Sequence, residues 1–237
     1  MRVAKVTHVG LVRKSNEDAL IIDENLGLFG VADGMGGHKA GEVASELAVQ
    51  QLVEYFGRQQ ASEISLADQL REGVSLANEA VYNQAMHREN LRGMGTTITV
   101  GVFRGPRLYI ANVGDSRAYL LREGVFTRLT TDHSLVFELV QQGGISQEEA
   151  FQHPQRNVLT RALGTSPEVE ADITEMDLMA GDLLLFCTDG LCGLLREEEI
   201  AAILKNNDIF AAQKGLLEAA LERGGQDNIS MVLVELD

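Results

Sequence analysis

Basic residues are scarce in this chain: 20 Lys and Arg stand against 35 Asp and Glu, a formal net charge of −15 over 237 residues. Binding a phosphate backbone needs a basic stripe, so the composition argues against nucleic acid, and equally against an anionic membrane surface. Long apolar runs are missing as well. None approaches the ~18 residues of a membrane span, and Met1-Arg2-Val3-Ala4-Lys5 is not followed by the apolar stretch of a secretory leader. A cytoplasmic protein is expected. Only two cysteines occur, Cys187 and Cys192. Their spacing is neither a redox pair nor part of a zinc site, and such sparing use suits a reducing compartment. Three prolines and no Pro/Ser-rich tract leave no visible linker, so residues 1–237 are expected to form one domain. No motif for self-association is visible, and a monomer is expected.

What is present is a hydrophobic period that changes along the chain. Ala19–Ile22 and Leu28–Ala32 read as two short strands joined by a turn at Glu24-Asn25. Residues 40–57 become helical, with Ala44, Ala48 and Leu52 on one face. Residues 65–88 carry a second stripe of Leu66, Leu70, Val74, Ala77 and Val81. Thr96–Phe103, Leu108–Val113 and Ala118–Arg122 read as an antiparallel meander punctuated by Gly105-Pro106 and Glu123-Gly124. Residues 134–163 are polar, weakly periodic and broken by Gly143-Gly144 and Pro154. A helix over Ser134–Gln142, a loop and a further short helical piece are expected there, forming a flap hinged at Gly143-Gly144. Strands return at Ala171–Met176 and Leu183–Cys187, helices near 197–205 and 208–222, and a last strand at Ile229–Leu236. The order is not βαβαβ; an α+β fold of mostly antiparallel sheets covered by helix pairs fits it.

Acidic residues stand beside short apolar runs at four places. Glu17-Asp18 leads into Ala19–Ile22, Val31-Ala32 runs into Asp33-Gly34, Leu183–Thr188 runs into Asp189-Gly190, and Asp227-Asn228 precedes Ile229. A carboxylate at the lip of a buried strand is costly unless a cation or hydrogen bonds compensate. Several gathered together repel one another unless a metal lies between them. A glycine after the acid permits a sharp turn and bares its carbonyl as one more oxygen ligand. The pattern predicts an all-oxygen site for hard divalent ions. Neither cysteine sits in a phosphate-cradling Cys-x5-Arg loop.

Eight segments, in order, carry a more specific signal: Arg13-Lys14-Ser15-Asn16-Glu17-Asp18, Val31 through Glu42 (with Asp33-Gly34-Met35-Gly36-Gly37-His38), Gly95-Thr96-Thr97, Asn112-Val113-Gly114-Asp115-Ser116-Arg117, Thr130 through Ser134, Leu159 through Gly164, Cys187-Thr188-Asp189-Gly190-Leu191 and Gly225-Gln226-Asp227-Asn228-Ile229-Ser230. Together they span nearly the whole chain, which resembles the PPM/PP2C family of metal-dependent protein serine/threonine phosphatases in its compact bacterial form. The resemblance implies a four-layer α-β-β-α sandwich of two mainly antiparallel sheets flanked by helix pairs, with the metals at one end. It implies Mg2+ or Mn2+ as cofactor, two core ions with a third, weaker one. Asp33 is expected to bridge the two ions, the Gly34 carbonyl to bind one, and Asp189 and Asp227 to bind the other. Asp18 is expected to act largely through water, Glu17 to orient those waters, and Asn228 to brace the Asp227 loop. Asp115, with Asp189, is expected to hold the third ion. Arg13 is expected to grip the substrate phosphate, which suits its planar fork. Two ions ~3.5–4 Å apart acidify a shared water for in-line attack on phosphorus.

One position departs from many eukaryotic members, which carry histidine directly after the bridging Asp-Gly. Met35 stands there and donates no proton. His38, three residues on, is a candidate general acid, with a metal-bound water as the alternative. His133, before the flap, is expected to be structural. The resemblance also implies phosphoprotein substrates, a Ser/Thr kinase among them. Two rivals stay open on the residues alone: a two-metal hydrolase of small phosphoesters, and a non-catalytic phosphoprotein-binding module. The full set of acids weighs against the second.

Overall fold

The computed structural model describes residues 1–36, 40–59 and 64–237. Strands β1 (Arg2–His8), β2 (Asp18–Asp23) and β3 (Leu28–Met35) precede helices α1 (Ala40–Arg58) and α2 (Leu66–His87). Then come β4 (Gly95–Thr96), β5 (Ile98–Arg104), β6 (Arg107–Val113), β7 (Arg117–Arg122) and β8 (Val125–Arg128). Short helices α3 (Leu135–Gln141) and α4 (Gln147–Phe151) lead to β9 (Asp172–Asp177) and β10 (Leu183–Cys187). Helices α5 (Asp189–Cys192), α6 (Glu197–Asn206) and α7 (Ile209–Glu222) precede the last strand, β11 (Ile229–Glu235).

One sheet runs β1-β11-β10-β7-β8 and the other β2-β3-β5-β6-β9, with β4 paired to β3. Every strand pairing among the described residues is antiparallel. The alternation of side chains sorts each strand between two cores. Leu184 and Phe186 of β10 join Val232 and Val234 of β11 between the sheets, where Phe29 and Val31 of β3 meet them. Leu183, Leu185 and Cys187 point the other way, to α6 and α7 through Ile200, Leu204 and Leu216. Leu28 and Ala32 of β3 face α1 and α2 through Ala44, Leu52, Leu70 and Val81. The result is the expected four-layer α-β-β-α sandwich. A strand covered on both faces reads as a continuous apolar run, which is why Leu183–Cys187 is legible with its observed bounds.

β1, β8 and α5 were not foreseen. β1 and β8 are the two edges of their sheet; Ala4 is the only fully buried residue of β1, and β8 has none. Half-exposed edges leave little apolar alternation to read. α5 is a single turn begun by Asp189 itself.

Residues 134–163 hold α3 and α4 as two short helices. Their ends are stapled together: Leu135 N–H donates to Val158 O at 2.8 Å, and Thr160 N–H to His133 O at 2.9 Å. Ser146 and Glu149 form a capping box that starts α4. Far from the staple, Arg196 reaches the Glu148 carboxylate with both terminal nitrogens, at 2.5 and 2.6 Å, and lies 5.3 Å over the Phe151 ring.

Candidate metal centre

The strand ends that carry acids converge at one end of the sandwich. Asp18 opens β2 and stands opposite Asp33 in the β2–β3 ladder. Asp33 is fixed by Thr97, which sits between β4 and β5: Asp33 N–H donates to Thr97 Oγ1 at 3.0 Å and Thr97 N–H to Asp33 O at 2.9 Å. Gly34 N–H donates to Glu17 O at 3.1 Å. A Cβ on Gly34 would collide with the carbonyls of Gly41 and Glu17, so only glycine lets α1 and the segment at Glu17 pass this close. Asp189 begins α5 just beyond β10, and Asp227 precedes β11.

Hydrogen bonds account for part of this acidic charge. Thr188 Oγ1 donates to Asp18 Oδ2 at 3.0 Å, joining the two sheets. Arg13 Nη2 donates to Asp227 Oδ2 at 2.7 Å, and the Asn228 N–H to Asp227 Oδ1 at 2.9 Å. Asn228 also ties three segments together: its Oδ1 accepts Glu17 N–H at 2.8 Å, and its Nδ2 donates to Val9 O and Ser15 O, each at 3.0 Å. The Glu17 carboxylate lies against Gly41, where a Cβ would overlap its Oε2.

The remainder is uncompensated. Asp18 Oδ1 and Asp189 Oδ1 are buried with no partner among the described residues. Burial, with hydroxyl hydrogen bonds from Ser230 and Thr188 opposing it and the Asp189 and Asp227 charges adding to it, pushes Asp18 up to about 7. Burial and the surrounding carboxylates push Asp33 well above its ordinary value. Asp115 is raised by burial and then by Asp189, and Asp189 by burial and then by Asp227. Orphaned oxygens among mutually repelling carboxylates are the donor set of a hard divalent cation. No three acidic, His or Cys side chains among the described residues close into a cage for one ion. Mg2+ keeps several waters and is commonly bound through only one or two carboxylates.

A cleft of ≈ 670 Å³ opens beside these acids. Arg13, Asp115, Asp189 and Asp227 line one wall, and Phe137 and Phe151 of α3 and α4 the other. The structure therefore brings together Arg13, Glu17, Asp18, Asp33, Gly34, Asp115, Asp189, Asp227 and Asn228. His38 lies outside the described residues. Sequence reasoning gave no part to Thr188 or Arg156. Thr188 is 170 positions from the Asp18 it holds. Arg156 lines the cleft and its charge lowers Asp189, but it comes from the polar flap segment, where no period marks it. Cys187 and Cys192 are buried thiols.

The sequence profile of protein phosphatase 2C matches residues 12–231. The serine/threonine phosphatase stp of Listeria monocytogenes is 40% identical over 239 residues, covering 98% of this chain and 94% of its own. The serine/threonine protein phosphatase PstP of Mycobacterium tuberculosis is 40% identical over the whole of this chain, which spans 45% of that protein. Its crystal structure superposes with a TM-score of 0.92, covering 100% of this chain and 98% of the solved one. The PstP catalytic domain in complex with two manganese ions superposes at 0.90 with 38% identity, again over 100% and 98% of the two chains.

Proposed function

The chain belongs to the protein phosphatase 2C family, and from that membership we propose how its acidic centre hydrolyses phosphoserine and phosphothreonine in proteins. It is a metal-dependent serine/threonine protein phosphatase. The observation that carries the mechanism is the pair of partnerless buried oxygens, Asp18 Oδ1 and Asp189 Oδ1, in the carboxylate cluster around Asp33, with Asp189 and Arg13 lining the adjoining cleft.

Divalent ions held here supply an acidified water and neutralise phosphate charge. Asp33 and the Gly34 carbonyl would hold the core ions together with Asp189 and Asp227. Asp18 and Glu17 orient water at the same centre. Asp115 and Asp189 would hold a third, weaker ion. Asn228 keeps the Asp227 loop against the segment 9–17 by its three bonds.

Arg13 binds the phosphate. Its guanidinium is kept charged by the Asp227 hydrogen bond, and that bond engages one terminal nitrogen while the other edge of the fork remains for two phosphate oxygens. His38 supplies the proton that the departing serine or threonine oxygen takes up. The segment 134–163 forms the outer wall as a flap and shields the phosphate from bulk water. The buried thiols take no part.

Phosphoproteins are the substrates, and a Ser/Thr kinase is proposed as both partner and substrate. The protein is proposed to act as a monomer in the cytoplasm, which two unbridged thiols suit. Among the described residues no helix is long and apolar enough to cross a membrane.

Phosphate release from a phosphothreonine peptide and from a small aryl phosphate, in Mn2+ and then in excess chelator, tests this reading. Turnover that needs Mn2+ and has the higher kcat/KM on the peptide supports it. Turnover that survives chelation, or that occurs on the aryl phosphate alone, overturns it.

A further inference from the structure

One buried titratable side chain away from the carboxylate cluster has partners on several segments. His133 is 7% exposed and lies between β8 and α3. It holds both backbone groups of Gly114. The His133 N–H donates to Gly114 O at 2.9 Å, and the Gly114 N–H donates to His133 Nδ1 at 3.0 Å. Gly114 has φ +109°, and a Cβ there would lie 2.5 Å from Thr97 Cγ2, so the turn depends on glycine and on what grips it. The next residue is Asp115.

The hydrogen bonds assign the ring's proton. A backbone N–H needs a lone pair, so Nδ1 is bare and the proton sits on Nε2, where Asp172 Oδ2 accepts it at 3.1 Å. Asp172 is itself held by Arg161, whose Nη1 donates to Asp172 Oδ1 at 2.9 Å and to Glu170 O at 3.0 Å. That nitrogen also stands 3.2 Å from His133 Nε2, so a cation already borders the ring and favours its neutral form. The His133 carbonyl accepts the Thr160 N–H, tying the same residue to the end of the flap segment.

We propose that His133 is a positioning residue for Asp115. As the neutral, Nε2-protonated tautomer set by Asp172, it fixes the Gly114 peptide and with it the direction in which Asp115 meets Asp189. The inference rests on the reading of Asp115 as an ion ligand. Partners behind a ligand commonly govern affinity because they fix its orientation. Losing the Nδ1 acceptor leaves the buried Gly114 N–H unpaired, and the turn relaxes to pair it elsewhere.

The test uses the full chain. The His133 ring nitrogens of the parent are read by 15N NMR. Mn2+ titration calorimetry then compares the parent with His133→Asn, which keeps an acceptor where Nδ1 sits, with His133→Gln, which moves the polar group to the Nε2 place, and with Asp115→Asn. The expected results are a neutral ring protonated on Nε2, and a Mn2+ step lost in Asp115→Asn. The same step is expected to weaken about 10-fold or more in His133→Gln and to stay within about 3-fold of the parent in His133→Asn. A proton on Nδ1 overturns the proposal without any variant having to fold. A step lost in Asp115→Asn but intact in His133→Gln refutes the role of His133 alone. A titration that Asp115→Asn leaves unchanged removes Asp115 as a ligand, and overturns the proposal together with that part of the reading it rests on.

Discussion

Asp18 and Asp33 stand directly opposite each other in the β2–β3 ladder, so their carboxylates emerge from the same face of the sheet. Like charges in that position destabilise a strand pair, and only Asp18 has a hydroxyl partner to share the load. A bound cation relieves the repulsion and so links metal to stability. Mn2+ at about 100 times its Kd is expected to add about 2.7 kcal/mol. Melting curves in Mn2+ and in chelator check this. Asp18→Asn is expected to raise the chelated midpoint while narrowing the gap between the two; equal midpoints for the parent would contradict it.

Gly34→Ala asks whether the close approach matters. The added Cβ meets two backbone carbonyls, those of Gly41 and Glu17, and neither is the end of a flexible side chain. A loss of about 1–3 kcal/mol by urea denaturation is expected, together with weakened Mn2+ binding. Parent-like values for both would show that β3 and α1 move apart freely.

Arg122 and Asp182 provide a pH test away from the metal centre. Asp182 is 1% exposed and takes Arg122 Nε at 2.8 Å, Nη2 at 2.6 Å and the Met179 N–H at 2.8 Å. Burial pushes its carboxyl up, but Arg122 and the Met179 N–H outweigh that and hold it below its ordinary value. A carboxyl lowered by folding stabilises the fold above the unfolded-state pKa, near pH 4, and loses that contribution as pH falls through the folded value. Arg122→Ala is expected to cost about 2–3 kcal/mol at pH 7. The difference from the parent should shrink as pH drops below about 4. Urea titrations across that range check the sign; a gap that widens in acid would contradict it.

Much of this was legible in the sequence where the physics is local. An acid beside a short apolar run is a short-range signal, and Asp18, Asp33, Asp189 and Asp227 could be singled out that way, Asp33 and Asp189 with a glycine directly after them. The helix stripes of α1 and α2 and the five apolar residues of β10 follow from burial on known faces. What escaped depends on distant partners or on weak burial. Thr188 matters because Asp18 sits against it across the sheet interface, and Arg156 because the chain folds it back toward Asp189. β1 gains its structure from pairing with β11, which its own half-exposed residues do not announce. The partner that gives His133 interest, Gly114, lies 19 positions away, beyond the reach of any local signal.

The flap reading predicts uneven hydrogen exchange. α3 and α4 are short, few of their residues are buried, and their ends are stapled at 133–135 and 158–160. Amides of 135–151 are expected to exchange faster than those of β10 or β11. Arg196→Ala, which removes the grip on Glu148 and Phe151, is expected to speed exchange in α4 further without changing β10. Protection equal to the core strands would rule out a mobile flap.

Asp33→Asn tests the central claim most directly. The side chain keeps its size and loses its charge where it faces Asp18 and Asp189. Phosphate release from a phosphothreonine peptide in saturating Mn2+ should fall by at least about 100-fold, and calorimetry should show fewer bound Mn2+ ions on a protein that still folds. A folded Asp33→Asn protein that binds Mn2+ and turns over the peptide like the parent would contradict the account.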